Sequence, residues 1–342
     1  MGVAMAKVSV YIPCHNYGHY LQNAVKSALS QDGVDVEVLI IDDLSADNTQ
    51  EVAAELTKDS RVDYTRHSEN LGNIATYNEG IEWAGGDYVV LLSADDLLTP
   101  GSLRRATDLL DESPSVNFVY GHAIWWHPER RTPRPKERVK GWLIWPGEAW
   151  INRRCVTGRS AIATVEAVVR TAALRQFGGF NPELSYSGDL ELWLRLAAHG
   201  DVGYLRGPDQ AYYRIHSSSM YRTLDPLMSL QQDRLAFETA IGQQEHFLHD
   251  PEGLLNSARR ALAVQALEKA LWSRDLGVEG GCAEGLIEFA AETFGDAPLL
   301  REYRSVKRRL RWSPRARRFS QFETIAHYKS RFRSEIIHRR GT

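Results

Sequence analysis

Two adjacent carboxylates, Asp95 and Asp96, follow the apolar run at residues 89–92. Carboxylate oxygens are hard ligands, and such a pair suits Mg²⁺ or Mn²⁺ that is shared with phosphate oxygens of a substrate. Aspartates also cap helices, and a helix is predicted soon after Asp96, so the pair has a purely structural interpretation as well. The pair therefore gains meaning only from the elements and motifs around it.

The elements that must position these carboxylates alternate between strand and helix. Apolar or β-branched runs predict strands at residues 8–13, 36–41, 62–66 and 87–92. Helical spacing and end signals predict helices over residues 21–29, from residue 47 or 48 under a capping box with Gln50 and Glu51, over residues 73–84, and after a Thr99 cap with Pro100 in first position. This alternation favours a parallel sheet with helices on both faces.

Polar clusters follow three of the predicted strands. They are Cys14-His15-Asn16, Asp42-Asp43 and Asp95-Asp96. Because binding sites of open α/β sheets lie at the carboxyl ends of the strands, we expect the three clusters to share one edge. Loops are polar in general, and Asp43 can simply cap its own turn, but three clusters in one topological position favour a site.

Six segments, in order over about residues 7–222, carry a more specific pattern. They read VSVYIPCHN from residue 8, DDLSADNT from 42, NLG from 70 with YNEG from 77, SADD from 93, FGGFN from 177 with GDLELW from 188, and YRIH from 213. This ordered set resembles the inverting family-2 glycosyltransferases with the GT-A fold. The resemblance implies a Rossmann-like, mixed and mostly parallel sheet with helices on both faces, followed by a mainly helical C-terminal region.

The resemblance also implies roles for individual residues. The nucleotide-sugar pocket would be lined by Pro13, His15, Asn16, Asp43, Ser45, Asn73, Ser93, Ala94, Asp95 and Arg214. Asp95, Asp96 and His216 would serve a Mn²⁺ or Mg²⁺ ion, and Arg214 with His216 would neutralise the departing diphosphate. Asp189 would be the general base, and the acceptor side would include Gly179, Glu191 and Trp193. A single displacement of this kind inverts the anomeric carbon.

Two positions depart from the family pattern, and they keep rival interpretations open. Ser93 stands where the metal motif has its first acid, and Gly188 stands where an acid often precedes the base. Glu191 is a second candidate base, but residues two apart on a helix face different ways, so only one of Asp189 and Glu191 should reach the cleft. Asp189 can also be a plain helix N-terminal acid. The rivals are a degenerate sugar-nucleotide-binding or assembly module and, less favoured, a sugar-phosphate nucleotidyltransferase.

The chain is predicted to divide near residue 222. Residues 1–222 would form the catalytic domain, with a nucleotide-sugar half to about residue 110 and an acceptor half over residues 111–222. An insertion at residues 122–150 holds five tryptophans, Trp125, Trp126, Trp142, Trp145 and Trp150. Tryptophan rings suit a carbohydrate or small apolar acceptor, and equally a satellite core beneath a long insertion. Residues 223–342 are predicted to be helical.

Composition sets the remaining expectations. The 342 residues are 43% apolar with a formal net charge of −3, and no apolar run approaches the roughly 20 residues of a membrane span. With three scattered cysteines and no signal peptide, we expect a soluble cytoplasmic protein. Residues 301–340 hold 14 Lys or Arg against three acids. This tail is expected to pack on the acidic body or on a second subunit of a homodimer, with peripheral contact at the inner face of a membrane as the alternative and no nucleic-acid partner.

Overall fold

The computed structural model describes residues 5–216, 225–276 and 283–310. These residues form two compact units. The first unit comprises residues 5–147 and 162–216, and the second comprises residues 148–161 with the described residues from 225 onward.

The strands all lie in the first unit. They are β1 Lys7–Cys14, β2 Asp35–Asp42, β3 Val62–Arg66, β4 Tyr88–Leu91, β5 Leu97–Leu98, β6 Val116–Tyr120, β7 Ala123–Trp126, β8 Trp142–Trp145, β9 Val168–Arg170, β10 Asp201–Leu205 and β11 Ala211–Arg214. The helices are α1 Gly18–Leu29, α2 Thr49–Leu56, α3 Asn73–Trp83, α4 Ser102–Glu112, α5 Gly147–Thr157, α6 Thr171–Phe177, α7 Gly188–Ala198, α8 Pro226–Gln243, α9 Pro251–Leu276, α10 Ala283–Thr293 and α11 Arg301–Leu310.

The strands form one large and one small sheet. The eight-stranded sheet has the order β3-β2-β1-β4-β9-β6-β10-β8, and the three-stranded sheet has the order β5-β11-β7. Strands β1 to β4 run parallel, and β6 runs parallel to β10. Strand β9 is antiparallel to both of its neighbours, and β8 is antiparallel to β10. The predicted α/β fold with a mixed, mostly parallel sheet is confirmed.

Helices cover both faces of β1 because its side chains alternate. Val10 and Ile12 are fully buried in the cluster that also contains Leu21 of α1. Tyr11 points to the opposite face, where α3 lies so close that a Cβ on Gly80 would meet the Tyr11 ring at 2.3 Å. Glycine is therefore required at residue 80 for this helix to approach the strand.

Two predicted helix starts are wrong in detail. Helix α4 begins at Ser102, and its N–H donates to the carbonyl of Thr99 at 3.2 Å, so Thr99 and Pro100 form a turn before the helix. Helix α2 begins at Thr49 without a side-chain cap from Asn48. Instead, the carboxylate of Asp47 accepts hydrogen bonds from the Thr49 N–H and hydroxyl at 3.0 and 2.5 Å. Asp47, one of the two predicted caps, thus caps the helix, whereas the side-chain oxygen of Gln50 accepts from Arg66 Nη1 at 3.1 Å rather than completing the predicted capping box.

The second unit is helical, as the sequence predicted for the C-terminal region. It contains α8 to α11 and, apart from its first residue, α5. Asp225 caps α8 by accepting hydrogen bonds from the N–H groups of Leu227 and Met228. Leu262 and Leu267 of α9 are fully buried, and Phe237 and Phe289 of the neighbouring helices are almost so. Residues 311–340, which carry most of the basic tail, lie outside the described residues.

The described helices include none whose length and apolar character would let it cross a bilayer. Cys14 and Cys155 are buried free thiols. Burial raises the pKa of Cys14 to about 11 and that of Cys155 to about 12. Neither thiol is therefore a nucleophile near neutral pH. Cys282 lies outside the described residues.

Candidate active site

The loops after β1 and β2 are joined to each other by side chains predicted to line the nucleotide pocket. Asn16 has a positive φ of 61°, its N–H donates to Ser45 Oγ at 2.9 Å, and its side-chain oxygen accepts from the Ala46 N–H at 2.8 Å. His15 donates from Nδ1 to the Asp43 carbonyl at 2.7 Å. These bonds join the two loops just beyond the end of β1. Pro13 is the second-last residue of that strand.

The two aspartates after β2 have different surroundings. Asp42 is fully buried and accepts hydrogen bonds from the Ser45 N–H, the Tyr64 hydroxyl and the Arg66 guanidinium at 2.7, 3.0 and 3.2 Å. It therefore holds the turn that places Asp43. The structure thus explains why two adjacent aspartates are present: one holds the turn and the other is positioned by it. The sequence alone did not show this difference.

Asp43 accepts hydrogen bonds from the protein on both carboxylate oxygens. Oδ1 lies 2.8 Å from His67 Nδ1 and 2.8 Å from the Leu71 nitrogen, and Oδ2 lies 2.9 Å from the Gly72 nitrogen. Although burial opposes ionisation, the hydrogen bonds from His67 and from these two N–H groups lower the pKa of Asp43. Asp43 thus fixes the segment that leads into α3, where Asn73 donates to the Ser185 carbonyl at 3.1 Å.

The acids after β4 also divide their roles. Asp96 is 3% exposed, and Oδ1 accepts from the Arg214 N–H at 2.8 Å. Burial, and then the nearby Asp95 charge, raise the pKa of Asp96 well above its ordinary value. Asp96 is therefore turned toward the backbone of β11, which argues against the metal-ligand role that the resemblance implied. Ser93 and Ala94 form the preceding turn, in which the Asp96 N–H donates to the Ser93 carbonyl at 3.0 Å.

Asp95 lies against the predicted diphosphate residues. Its Oδ2 is 2.8 Å from His216 Nε2, and its carbonyl accepts from Arg214 Nε at 2.5 Å. The Arg214 guanidinium carbon lies 4.4 Å from the ring centroids of both Tyr20 and Trp126. With cation–π contacts to both rings, this cation is 6% exposed and lies next to the carboxylate.

The tryptophans of the 122–150 insertion do not share one surface. Trp126 covers Arg214, whereas Trp125 packs on Tyr213 with ring centroids 4.6 Å apart. Trp150 lies in the helical unit and is 1% exposed beneath Arg154. Neither a single acceptor platform nor a single satellite core describes all five.

The acceptor-side block contains one accessible acid and one buried acid. Asp189 is partly exposed in the first turn of α7. Glu191 is fully buried and forms a two-pronged ion pair with Arg195, at 2.8 Å from Nε and 2.9 Å from Nη2. Arg195 also donates to the carbonyl of Gly179 at 2.5 Å. The structure therefore gives Glu191 a positioning role and removes it as a candidate base.

Two further residues predicted for the acceptor side, Trp193 and Gly179, are used in packing within the protein. Trp193 is 1% exposed and packs on Phe118 with ring centroids 5.1 Å apart, so its ring has no surface for an acceptor. A Cβ on Gly179 would lie 2.4 Å from Asn78 Oδ1, so this glycine serves the close approach of its loop to α3. The Asn78 side chain in turn accepts a hydrogen bond from the Phe180 N–H at 2.7 Å and donates one to the Phe180 carbonyl at 2.9 Å.

Tyr77 of α3 is influenced by the charges of the base candidate and of the metal motif. Burial raises the pKa of Tyr77 to about 12, and the charges of Asp189, Asp95 and Asp96 act in the same direction. One phenol group is thus within electrostatic reach of all three carboxylates.

Comparison with known proteins decides the family. Residues 9–162 match the model described as Glycosyl transferase family 2. Residues 9–162 of the chain belong to this family. An uncharacterized glycosyltransferase of Rickettsia conorii is 30% identical over 221 residues, which are 64% of this chain and 34% of that protein. The family-2 chain therefore spans about a third of that relative's length.

Solved structures show the fold of this family-2 chain. The crystal structure of S. aureus TarS 1-349 in complex with UDP matches with a TM-score of 0.55 at 17% identity, covering 89% of this chain and 91% of that one. Mannosyltransferase PcManGT from Pyrobaculum calidifontis, in complex with GDP-Man and Mn²⁺, matches with a TM-score of 0.52 at 18% identity, covering 88% and 83%. Both likenesses confirm the GT-A-type architecture.

Sequence reasoning missed several residues that build this family-2 site. Tyr20 and Trp126 enclose Arg214, and His67 contacts Asp43. Trp126 was predicted to serve an acceptor rather than Arg214, and nothing in the local sequence marks Tyr20 or His67, because their partners come from distant segments. The Glu191–Arg195 pair did leave a signal, since the two residues are four apart on a predicted helix.

Proposed function

We propose that this chain transfers a sugar from a nucleotide-diphosphate donor to an acceptor hydroxyl by a single, inverting displacement. The observation that carries the proposal is the cluster of Arg214 and His216 on Asp95 in a family-2 fold. Displacement of a nucleoside diphosphate requires that the negative charge developing on the leaving group be stabilised. This cluster brings a guanidinium, an imidazole and a carboxylate close together.

We propose that a divalent ion binds at this cluster with ligands from both the protein and the donor diphosphate. Among residues 5–216, 225–276 and 283–310, no three His, Cys, Asp or Glu side chains gather into a metal cluster. Mg²⁺ sites in phosphoryl enzymes usually take only one or two carboxylates and complete their shell with phosphate oxygens. We propose that Asp95 with His216 holds Mn²⁺ or Mg²⁺ in this way. The ion would neutralise charge on the diphosphate.

Asp189 is the proposed general base. Its carboxylate would accept the proton of the acceptor hydroxyl while that oxygen forms its bond to the anomeric carbon. The bond from the same carbon to the diphosphate oxygen breaks, and its electron pair leaves with the diphosphate. Attack and departure take place on opposite faces of the sugar, so the configuration inverts. Glu191 cannot share this task because its carboxylate is consumed by Arg195.

The proposal names the donor and the acceptor by chemical class. TarS binds UDP and UDP-GlcNAc in its structures, and PcManGT binds GDP-Man, so uridine and guanosine donors are the first to test. We propose a carbohydrate or small apolar acceptor, since the exposed Trp125 beside Tyr213 offers a flat aromatic surface. The exposed cations of α11, Arg301, Arg304, Lys307 and Arg308, would support peripheral contact with an anionic membrane.

Asp189→Asn tests the function against a matched control. The control is Glu183→Gln, an exposed acid in the same block whose replacement removes the same charge. With a uridine or guanosine donor, Asp189→Asn should lose at least a hundredfold in turnover, as general-base catalysis is worth about 10²–10⁴. Its donor affinity should remain, and Glu183→Gln should match the wild type. Full activity of Asp189→Asn would contradict the mechanism, and donor binding without turnover in the wild type would favour the binding-module alternative.

A further inference from the structure

His67 stands between two carboxylates in the first unit. Its Nδ1 lies 2.8 Å from Asp43 Oδ1, and its Nε2 lies 2.6 Å from Glu79 Oε2. An ionised carboxylate only accepts hydrogen bonds, so both ring nitrogens must carry a proton to satisfy both contacts. The His67 side chain is 7% exposed and that of Asp43 is 8% exposed, whereas the Glu79 side chain is 37% exposed.

This bridge connects three elements. His67 directly follows β3, Asp43 follows β2, and Glu79 lies in α3. The same Asp43 carboxylate receives the N–H groups of Leu71 and Gly72, which precede α3. The bridge therefore holds the position of a predicted donor-pocket acid and closes the segment of residues 67–72 at both ends.

Helix α3 extends the connection to the acceptor side. Asn73 donates to the Ser185 carbonyl, and Asn78 is bonded to the backbone of Phe180 in both directions. These contacts belong to the acceptor-side block, which contains Asp189. A change at His67 thus acts on an element that touches both halves of the site.

We propose that His67, held as an imidazolium between Asp43 and Glu79, is a positioning residue that keeps the donor pocket in its binding form. The inference rests on the proposed function, because it assigns Asp43 to the donor pocket. It adds that donor affinity depends on the charge of a residue outside the family motifs, and that affinity falls when His67 loses its proton.

The surroundings of His67 support the charged form. Although burial opposes it, the hydrogen bonds and charges of Asp43 and Glu79 raise the pKa of His67 above its ordinary value near 6.5. The nearest cation in sequence, Arg66, is directed to Asp42 and Gln50. His15 contacts the Asp43 carbonyl and not its carboxylate.

The sign of the pH dependence follows from these shifts. A raised histidine pKa contributes stability that is complete below about pH 6.5 and is lost as the pH rises through the folded-state value. The lowered pKa of Asp43 contributes stability that is lost as the pH falls through its own folded-state value. The bridge is therefore complete while His67 is protonated and Asp43 is ionised, and it opens as the pH rises through the raised pKa of His67.

The test uses Glu79→Gln, with Glu82→Gln as its control on the same helix. Glu82 is exposed, and its replacement removes the same charge from α3. In the full chain with ¹⁵N-labelled histidine, NMR titration should show His67 protonated on both nitrogens past pH 6.5. Glu79→Gln should lower its midpoint by about one pH unit, whereas Glu82→Gln should leave it within a few tenths.

Calorimetric titration with UDP and Mn²⁺ from pH 6 to pH 9 provides the second readout. Wild-type affinity should decline with the His67 midpoint, and Glu79→Gln should move that decline toward acid. An ordinary or unshifted His67 titration overturns the bridge, whatever UDP does. If His67 titrates with the expected raised midpoint but UDP binding does not depend on pH, the positioning role is overturned. Absence of UDP binding at every pH removes the uridine donor from the proposed function, and the same titration with GDP then decides the positioning role.

Discussion

His216 Nε2 lies 2.8 Å from Asp95 Oδ2, although the two residues are 121 positions apart in the chain. Their side chains are 9% and 16% exposed. The contact closes the end of β11 onto the turn after β4, next to the stacked guanidinium of Arg214. The proposed site for a charged donor is thereby assembled from two segments that have no local sequence connection.

Asp95→Asn should abolish metal-dependent donor binding. The carboxylate is the hard ligand of the proposed ion site, and an amide lacks its charge. In thermal-shift measurements with Mn²⁺, a nucleotide at a hundredfold excess over its Kd stabilises the wild type by about 2.7 kcal/mol. Asp95→Asn should lose this gain, and Glu69→Gln, an exposed acid outside the cluster, should keep it. A retained metal-dependent gain in Asp95→Asn would show that the ion is held elsewhere.

Trp126→Leu should weaken nucleotide binding more than Trp125→Leu does. The two residues are adjacent on β7, but only Trp126 lies over the Arg214 guanidinium. Loss of one cation–π contact costs about 0.5–2 kcal/mol, which corresponds to roughly two- to thirtyfold in Kd. Titration of each variant with UDP or GDP measures the difference. Equal losses in the two variants would mean that the stacking on Arg214 has no part in donor binding.

Glu191→Gln and Asp189→Asn should have opposite effects. Glu191→Gln leaves Arg195 as a buried cation without its carboxylate, and breaking such a pair costs about 3–5 kcal/mol in the free energy of unfolding. Urea denaturation should show this loss, while the folded fraction keeps most of its turnover. Asp189→Asn should unfold near the wild-type urea midpoint with its turnover lost. The reverse pattern would make Glu191 the base.

Cys14 and Cys155 should resist alkylation in the folded chain. Burial holds the pKa values of their thiols at about 11 and about 12, so the reactive thiolate is scarce at pH 8. Peptide mapping after brief iodoacetamide treatment should find both unmodified without urea and both modified with it. Because the unfolded chain ionises these thiols from about pH 8.5 and the folded chain does not, the free energy of unfolding should fall above that pH. Rapid modification of either thiol in the native state would contradict its burial.

The elements of the first hundred residues could be predicted because their signals are local. The strands β1, β2 and β3 match the predicted runs to within one residue at each end, and α3 differs only at its last residue. The start of α4 was missed because the Thr99 hydroxyl is bonded to the Asp209 carbonyl, a partner 110 residues away. The Thr99 hydroxyl, which the sequence predicted to cap the helix, therefore makes a long-range contact instead.

The candidate site could be predicted only in part, for the same physical reason. Helical periodicity gave the choice between Asp189 and Glu191, but only the packing of Arg195 shows which acid is buried. Similarly, the sequence predicted both Asp95 and Asp96 as metal ligands, and only the structure shows that Asp96 accepts a hydrogen bond from the Arg214 N–H. His67 carried no signal, because its partners lie in two other segments.

The most direct test of the donor site is a thermal-shift screen of UDP, GDP, dTDP and CDP, each with and without Mn²⁺ or Mg²⁺. We predict a stabilising shift with one nucleotide, dependent on the metal and absent in Asp95→Asn. A flat response to all four nucleotides by folded protein would contradict the proposed nucleotide-sugar transfer.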